Sequence, residues 1–270
     1  MHRIWFACFG REGTYLIDLI DFSCGYGDRM IVSGCTLTLQ NGVLTGLLGA
    51  NGCGKTTLFK GICHRIPTRG TCFVDGLPHT APPARLAKRL SYIPQRSGMT
   101  LSCSALDAVL MGAHVHTPLF SDYTPAQRRH AEELLRQFLT VSPDTDFLAL
   151  SAGQQQLVIL ARCLMQGADN LLLDEPDSAL DFSNKHRVLS EIRSVSRAGK
   201  CVLLCLHDPN IALQYCDRLL FMQDGVIFED LAPGTAAPAR LDAAFRTLYG
   251  DVRVVRLQDQ LFLLREQTDL

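Results

Sequence analysis

Residues 49–56 read GANGCGKT, a G-x-x-x-x-G-K-[ST] pattern between an apolar run, VLTGLLG (43–49), and a helical stretch, TTLFKGICHRI (56–66). Glycines at this spacing let successive backbone N–H groups curl around a phosphate chain, and the start of the following helix adds positive potential. Lys55 is then the group that reaches the outer phosphates, and the Thr56 hydroxyl is a ligand for Mg2+. Two further apolar runs end in groups suited to the same chemistry. NLLLDEP (170–176) delivers Asp174 and Glu175, and CVLLCLHD (201–208) delivers His207. Ligands of open α/β sheets bind beyond the carboxyl ends of the strands. That expectation puts Asp174 in a Mg2+ shell and makes Glu175 the base or orienter for an attacking water. An imidazole at His207 could hold a phosphate and the water. Gln95, at the end of SYIPQ, could touch both cation and water. Without the glycine loop each of these residues would read as polar surface or as a structural histidine.

A second helix start carries a different ambiguity. In LSAGQQQ (150–156), Ser151 and Gln154 stand three apart and form a capping box. Leu157, Leu160, Ala161, Leu164 and Met165 follow at helical spacing, and Gly167 ends the run. The segment is either an ordinary capped helix or a helix start aimed at a phosphate on another molecule.

These groups need elements that bring them together. The three near-continuous apolar runs suit strands covered on both faces. Helical patterns lie between them, including KHRVLSEIRSVSRAG (185–199). The alternation predicts an α/β fold with a mainly parallel core. Residues 96–169 contain helical stretches such as AQRRHAEELLRQFL (126–139), a Pro-bearing loop at 117–125 and no convincing strand. They read as a helical insertion. The chain then runs through a Pro/Ala/Gly-rich connection, LAPGTAAPAR, to VRVVRLQDQLFLLRE, which predicts a strand hairpin turning near Asp259.

Composition narrows the class. The 270 residues are 47% hydrophobic and 20% charged with a formal net charge of −1, which argues against a dedicated nucleic-acid binder. The 11 cysteines are scattered and include no CxxC pair. They read as small buried hydrophobes in a reducing compartment. No uninterrupted apolar run reaches the ~18 residues needed to span a bilayer, and the six apolar residues near the N-terminus are short for a signal-peptide core. The expectation is a soluble chain, with any membrane-spanning helices supplied by other chains.

The order Tyr26, GANGCGKT (49–56), Gln95, LSAGQ (150–154), LLLDE (171–175), SALD (178–181) and His207 resembles the nucleotide-binding subunit of ATP-binding-cassette (ABC) transporters over about residues 15–230. The resemblance implies a P-loop NTPase core with a mainly parallel sheet, an antiparallel β subdomain near the N-terminus and an inserted helical subdomain. Residues 1–14 are then an extension and 231–270 a C-terminal tail. In these terms Tyr26 is similar to the aromatic that stacks on adenine. Gly49, Ala50, Asn51, Gly52, Cys53, Gly54, Lys55, Thr56 and Thr57 match the ATP-binding loop. Thr56, Gln95 and Asp174 fall at the Mg2+ positions, and Glu175, His207 and Gln95 at the catalytic ones. Ser151, Ala152, Gly153 and Gln154 resemble the signature motif, and Ser178, Ala179, Leu180 and Asp181 the D-loop. The family usually has glycine where this chain has Ala152, which puts close backbone approach there in question. The resemblance further implies a head-to-tail dimer in which Ser151 and the N–H groups near Gly153 of one copy meet the γ-phosphate held by the other.

One cassette and no spanning helix resemble a separate importer subunit. Such a subunit is peripheral on the cytoplasmic face of the membrane, bound to two integral-membrane permease subunits and served by an extracytoplasmic substrate-binding protein. The segment LSCSALDAVLMGAHVHTPLF (101–120) and the C-terminal LYGDVRVVRLQDQLFLL resemble importers of ferric siderophores, haem and cobalamin. Zinc and manganese importers share part of the pattern and remain the alternative, with a non-transport cassette ATPase behind them. His114 and His116 form an HxH pair, but no carboxylate or cysteine stands at ligand spacing, so they read as loop or interface residues.

Overall fold

The computed structural model describes residues 16–95, 102–118, 121–178 and 180–266. The chain starts with β1 (Leu16–Tyr26), β2 (Arg29–Gln40) and β3 (Leu44–Leu48), then α1 (Lys55–Ile62), β4 (Thr68–Val74), β5 (Leu77–Pro78), α2 (Pro83–Leu86) and β6 (Leu90–Ile93). A helical stretch follows, with α3 (Ala105–Leu110), α4 (Pro125–Phe138) and α5 (Ala152–Met165). The chain returns to alternation with β7 (Asn170–Asp174), α6 (Phe182–Arg197), β8 (Cys201–Cys205), α7 (Pro209–Tyr215), β9 (Arg218–Gln223) and β10 (Val226–Leu231). It ends in α8 (Pro238–Tyr249), β11 (Val252–Leu257) and β12 (Gln260–Arg265).

The six-stranded sheet runs β10-β9-β3-β8-β7-β6, parallel except for β10 at the edge. Its strands β3, β7 and β8 are buried at every residue, which is why they read as apolar runs rather than as alternating ones. Alternation still decides which core each side chain joins. Leu171, Leu173, Val202 and Leu204 pack with the helices, whereas Leu172, Leu203 and Cys205 pack on the opposite face with α1 and the second sheet. That second sheet is antiparallel in its pairings, ordered β2-β1-β4-β5. The antiparallel subdomain, parallel core and inserted helices are all present.

The helical layer is α3, α4 and α5. A Thr124–Gln127 capping box with Pro125 at the first turn starts α4. The His116 Nε2 lies 2.9 Å from the Gln166 carbonyl at the end of α5, and His114 stacks on Tyr123 with ring centroids 5.4 Å apart. The HxH pair is thus engaged in holding local structure.

The C-terminal hairpin forms, turning through Gln258 and Asp259, both in the left-handed region. The helix α8 ahead of it is a finding that the Pro/Ala/Gly-rich reading of this stretch did not include. Pro238 occupies its first turn, and Leu241, Ala244 and Phe245 are buried in the same apolar cluster as the sheet. Of the expected features, residues 1–14, most of the connection after Gln95, the 119–120 dipeptide and Ala179 lie outside the described residues. Eight of the described cysteines are buried and all ten are free thiols.

Candidate active site

The site lies where the parallel sheet ends. Since β3 is flanked by β8 and β9, with β7 beside β8, the loops after β3, β7 and β8 open side by side. They enclose a cleft of about 270 Å³ lined by Asn51, Gly52, Gly54, Lys55, Thr56, Thr57, Gln95, Glu175 and His207.

The glycine loop has its shape for steric reasons. Gly54, with φ 118, adopts a conformation closed to other residues, just before α1. At Gly49 a Cβ would stand 2.4 Å from the Met222 carbonyl oxygen and 2.6 Å from Cys53 Sγ, so no side chain fits. The loop is also clamped from outside. The Gly225 N–H, in the β9–β10 turn, donates to the Cys53 carbonyl at 2.8 Å, and the Ser33 N–H of β2 donates to the Gly225 carbonyl at 3.1 Å. Inside the loop, the buried Lys55 Nζ donates to the carbonyls of Gly49 at 2.7 Å and Ala50 at 3.2 Å.

The acidic strand end divides its two carboxylates between two tasks. Thr56 Oγ1 donates to Asp174 Oδ2 at 2.7 Å, joining the first turn of α1 to β7. Burial pushes the Asp174 carboxyl up from its ordinary range, with the Thr56 hydroxyl and the Cys205 thiol pulling it back. Asp174 Oδ1 is buried without a hydrogen-bond partner among the described residues. Glu175, also buried, turns the other way. The Gln95 amide donates to its Oε2, and His207 Nε2 meets its Oε1. Its φ of 52 is left-handed, a conformation that costs a non-glycine residue roughly 1–2 kcal/mol. Such strain persists where surrounding contacts fix the residue, and it concentrates at functional sites.

The other expected residues fall in two groups. Tyr26 stands at the β1–β2 turn outside the cleft lining, half exposed, with its hydroxyl 3.3 Å from Lys60 Nζ of α1. The signature residues open α5 with the complete capping box: Gln154 N–H donates to Ser151 Oγ at 3.3 Å and Ser151 N–H to Gln154 Oε1 at 2.9 Å. Ser151 and Ala152 are exposed and Gly153 is buried. A Cβ on Gly153 would stand 3.3 Å from Leu180 Cδ2, so the start of α5 packs against the D-loop segment of the same chain. Asp181 caps α6 by accepting from the Asn184 N–H at 2.8 Å, and Ser178 precedes it on the surface. Two contributors went unnoticed in the sequence. Asp208 caps α7 directly after His207, which a D-P pair after a strand could have signalled, and the Gly225 clamp follows a D-G turn.

A family model described as "ABC transporter" matches residues 32–178. The hemin import ATP-binding protein HmuV of Vibrio cholerae is 35% identical over 233 residues, covering 84% of this chain and 89% of that protein. The chain belongs to the ABC transporter family. It is an ATP-binding subunit of that family and an ATPase. The cobalamin import ATP-binding protein BtuD of Halobacterium salinarum is 34% identical over 215 residues, covering 77% of this chain and 53% of that protein. Two solved structures share the fold. One is the ATP binding subunit of an ABC transporter, with TM-score 0.74 and 22% identity over 86% of this chain and 99% of that one. The other is an inward-facing ABC transporter assigned to the metal-chelate type, with TM-score 0.77 and 23% identity over 93% and 96%. Among the described residues of this ABC subunit, no helix is long and apolar enough to cross a membrane.

Proposed function

We propose that this ATPase powers import of an iron chelate (haem or a ferric siderophore) or of cobalamin, with haem the first cargo to test. The observation that carries the catalytic reading is the Glu175 carboxylate, gripped between Gln95 and His207 beside the Lys55–Thr56 helix start. Support for the cargo comes from the relatives named for hemin and cobalamin import.

The phosphates of ATP lie along the Asn51–Thr57 amides, with Gly49 and Ala50 giving up Lys55 to the outer phosphates and Tyr26 carrying the adenine. The donor set fits Mg2+, which takes oxygen ligands: the Thr56 hydroxyl, the Asp174 carboxylate that it holds, and the Gln95 carbonyl left over when the amide nitrogen bonds Glu175. Bound there, Mg2+ neutralises charge on the phosphate oxygens. Glu175 orients the attacking water and takes its proton. Each of its oxygens holds one partner and keeps a second acceptor position for the water.

The α5 start completes the site in a second copy of the chain. There the Ser151 hydroxyl and the Ala152 and Gly153 N–H groups meet the γ-phosphate, with Gln154 closing the cap and the D-loop residues Ser178, Ala179, Leu180 and Asp181 beside it. Closure of this dimer moves two permease subunits in the membrane, on whose cytoplasmic face the chain sits, and an external binding protein delivers the cargo. The test is uptake of labelled haem, ferric siderophore and cobalamin in cells carrying wild type or Glu175→Gln. Selective loss of one cargo, with ATP binding kept, names that cargo. Normal entry of all three by the variant overturns the cargo assignment.

A further inference from the structure

Several buried polar atoms lack hydrogen-bond partners among the described residues, and two of them, Asp174 Oδ1 on β7 and the Tyr92 hydroxyl on β6, stand at neighbouring positions on one face of the parallel sheet. Their strands are parallel neighbours, with Tyr92 opposite Leu172 and Ile93 opposite Leu173. Side chains alternate along a strand, so Tyr92, Leu172 and Asp174 share the face that α1 covers. Phe59 of α1 packs edge-on to the Tyr92 ring at 6.1 Å, and the Arg65 guanidinium lies 5.2 Å from its centroid. Thr56, one turn before Phe59, holds Oδ2 of the same Asp174. The phenol therefore lies under α1, diagonal to the carboxylate on the next strand. Cys205, opposite Asp174 on β8, offers only a thiol, a weak donor.

A buried hydroxyl without a partner is costly, as is a buried carboxylate oxygen whose neighbouring donor is only a thiol, and buried water commonly joins such groups. We infer that Tyr92 is a positioning residue for the Mg2+ site, its hydroxyl donating through one buried water to Asp174 Oδ1. The inference rests on the ATPase reading above. The water, held by Tyr92, fixes the carboxylate's rotation so that one edge serves Thr56 and the cation. Carboxylate ligands of metals are held in this way by outer hydrogen bonds, whose loss typically weakens metal binding about 10-fold or more. Burial pushes the phenol's pKa up, and Asp174 pushes it further the same way, so the hydroxyl keeps the proton that it donates.

Tyr92→Phe in the full chain tests this, because the ring keeps its packing on Phe59 and Arg65. Two titrations are compared: ATP binding in EDTA, and Mn2+ binding to the ATP-loaded protein by electron paramagnetic resonance, with thermal melting alongside. The expected result is unchanged ATP affinity in EDTA, about 10-fold weaker Mn2+ binding, and an equal or lower melting temperature. Fluorotyrosine at position 92, a stronger donor in the same ring, is the second arm and should leave Mn2+ binding as tight as wild type or tighter. Unchanged Mn2+ affinity in Tyr92→Phe overturns the inference. So does a raised melting temperature, which would mean that the hydroxyl makes no bond. Equal weakening of metal-free ATP binding would make Tyr92 a packing residue only. If the wild-type chain binds no ATP at all, the ATPase reading itself fails, and this inference with it.

Discussion

The cleft at the start of α1 and the start of α5 are both helix N-termini, yet they stand in opposite states. In the cleft nearly every polar group already holds another: Lys55 on loop carbonyls, Thr56 on Asp174, Gln95 and His207 on Glu175. At α5 the capping box is closed within the chain, but Ser151 and Ala152 face outward. The first region takes its ligand among groups that already hold one another. The second works without rearranging, provided that something is brought to it. In this reading each copy carries a cleft that needs a ligand and a fixed anion-binding surface that needs a partner.

The largest expected effect tests the cleft. Glu175→Gln should lower steady-state ATP hydrolysis about 10²–10⁴-fold while nucleotide binding, measured by equilibrium titration, persists. If hydrolysis survives, the carboxylate between Gln95 and His207 is not the working group. Ala152→Asp probes the fixed side. A carboxylate in the first turn favours the helix dipole, so the melting temperature should hold or rise slightly, while repulsion of a partner's γ-phosphate should cut hydrolysis about 100-fold. Hydrolysis at the wild-type rate would break the comparison by removing α5 from the site.

The sequence carried these two regions to different depths. Strands β3, β7 and β8 were legible because they are buried on both faces and so have no polar positions to blur the run. The loops after them were legible because a glycine, a carboxylate pair or a histidine interrupts that run. The LSAGQ segment was legible as a capped helix, while its outward aim required the exposure of Ser151 and Ala152. The antiparallel strands of the second sheet came only through resemblance, since β1 and β2 mix buried and exposed positions and carry bulges that disturb the alternation. Helix α8 was hidden because its start, PGTAAPAR, uses residues common to linkers, and its apolar stripe of Leu241, Ala244 and Phe245 is short. The Tyr92–Asp174 proximity was not readable, because strand order brings β6 beside β7 from about 80 residues away.

Smaller effects sharpen the contrast in stability. Gly49→Ala should cost about 2–3 kcal/mol in urea unfolding, because the added methyl meets the Met222 carbonyl and Cys53 Sγ and neither strand nor loop has room to yield. Ser151→Ala should cost about 1 kcal/mol by the same measurement, the ordinary value of a lost N-cap. A cost at Ser151 equal to that at Gly49 would mean that the α5 start is as tightly embedded as the cleft.

The clamp at Gly225 has a mechanical consequence. Cys53 in the loop, Gly225 in the β9–β10 turn and Ser33 on β2 form one chain of backbone hydrogen bonds across both sheets. A Cβ at Gly225 would fall 1.7 Å from the Ile31 carbonyl oxygen, so the three segments are in direct backbone contact. The floor of the cleft is therefore braced like a truss. A displacement of either sheet is thereby passed through the backbone to the loop that leads into Lys55.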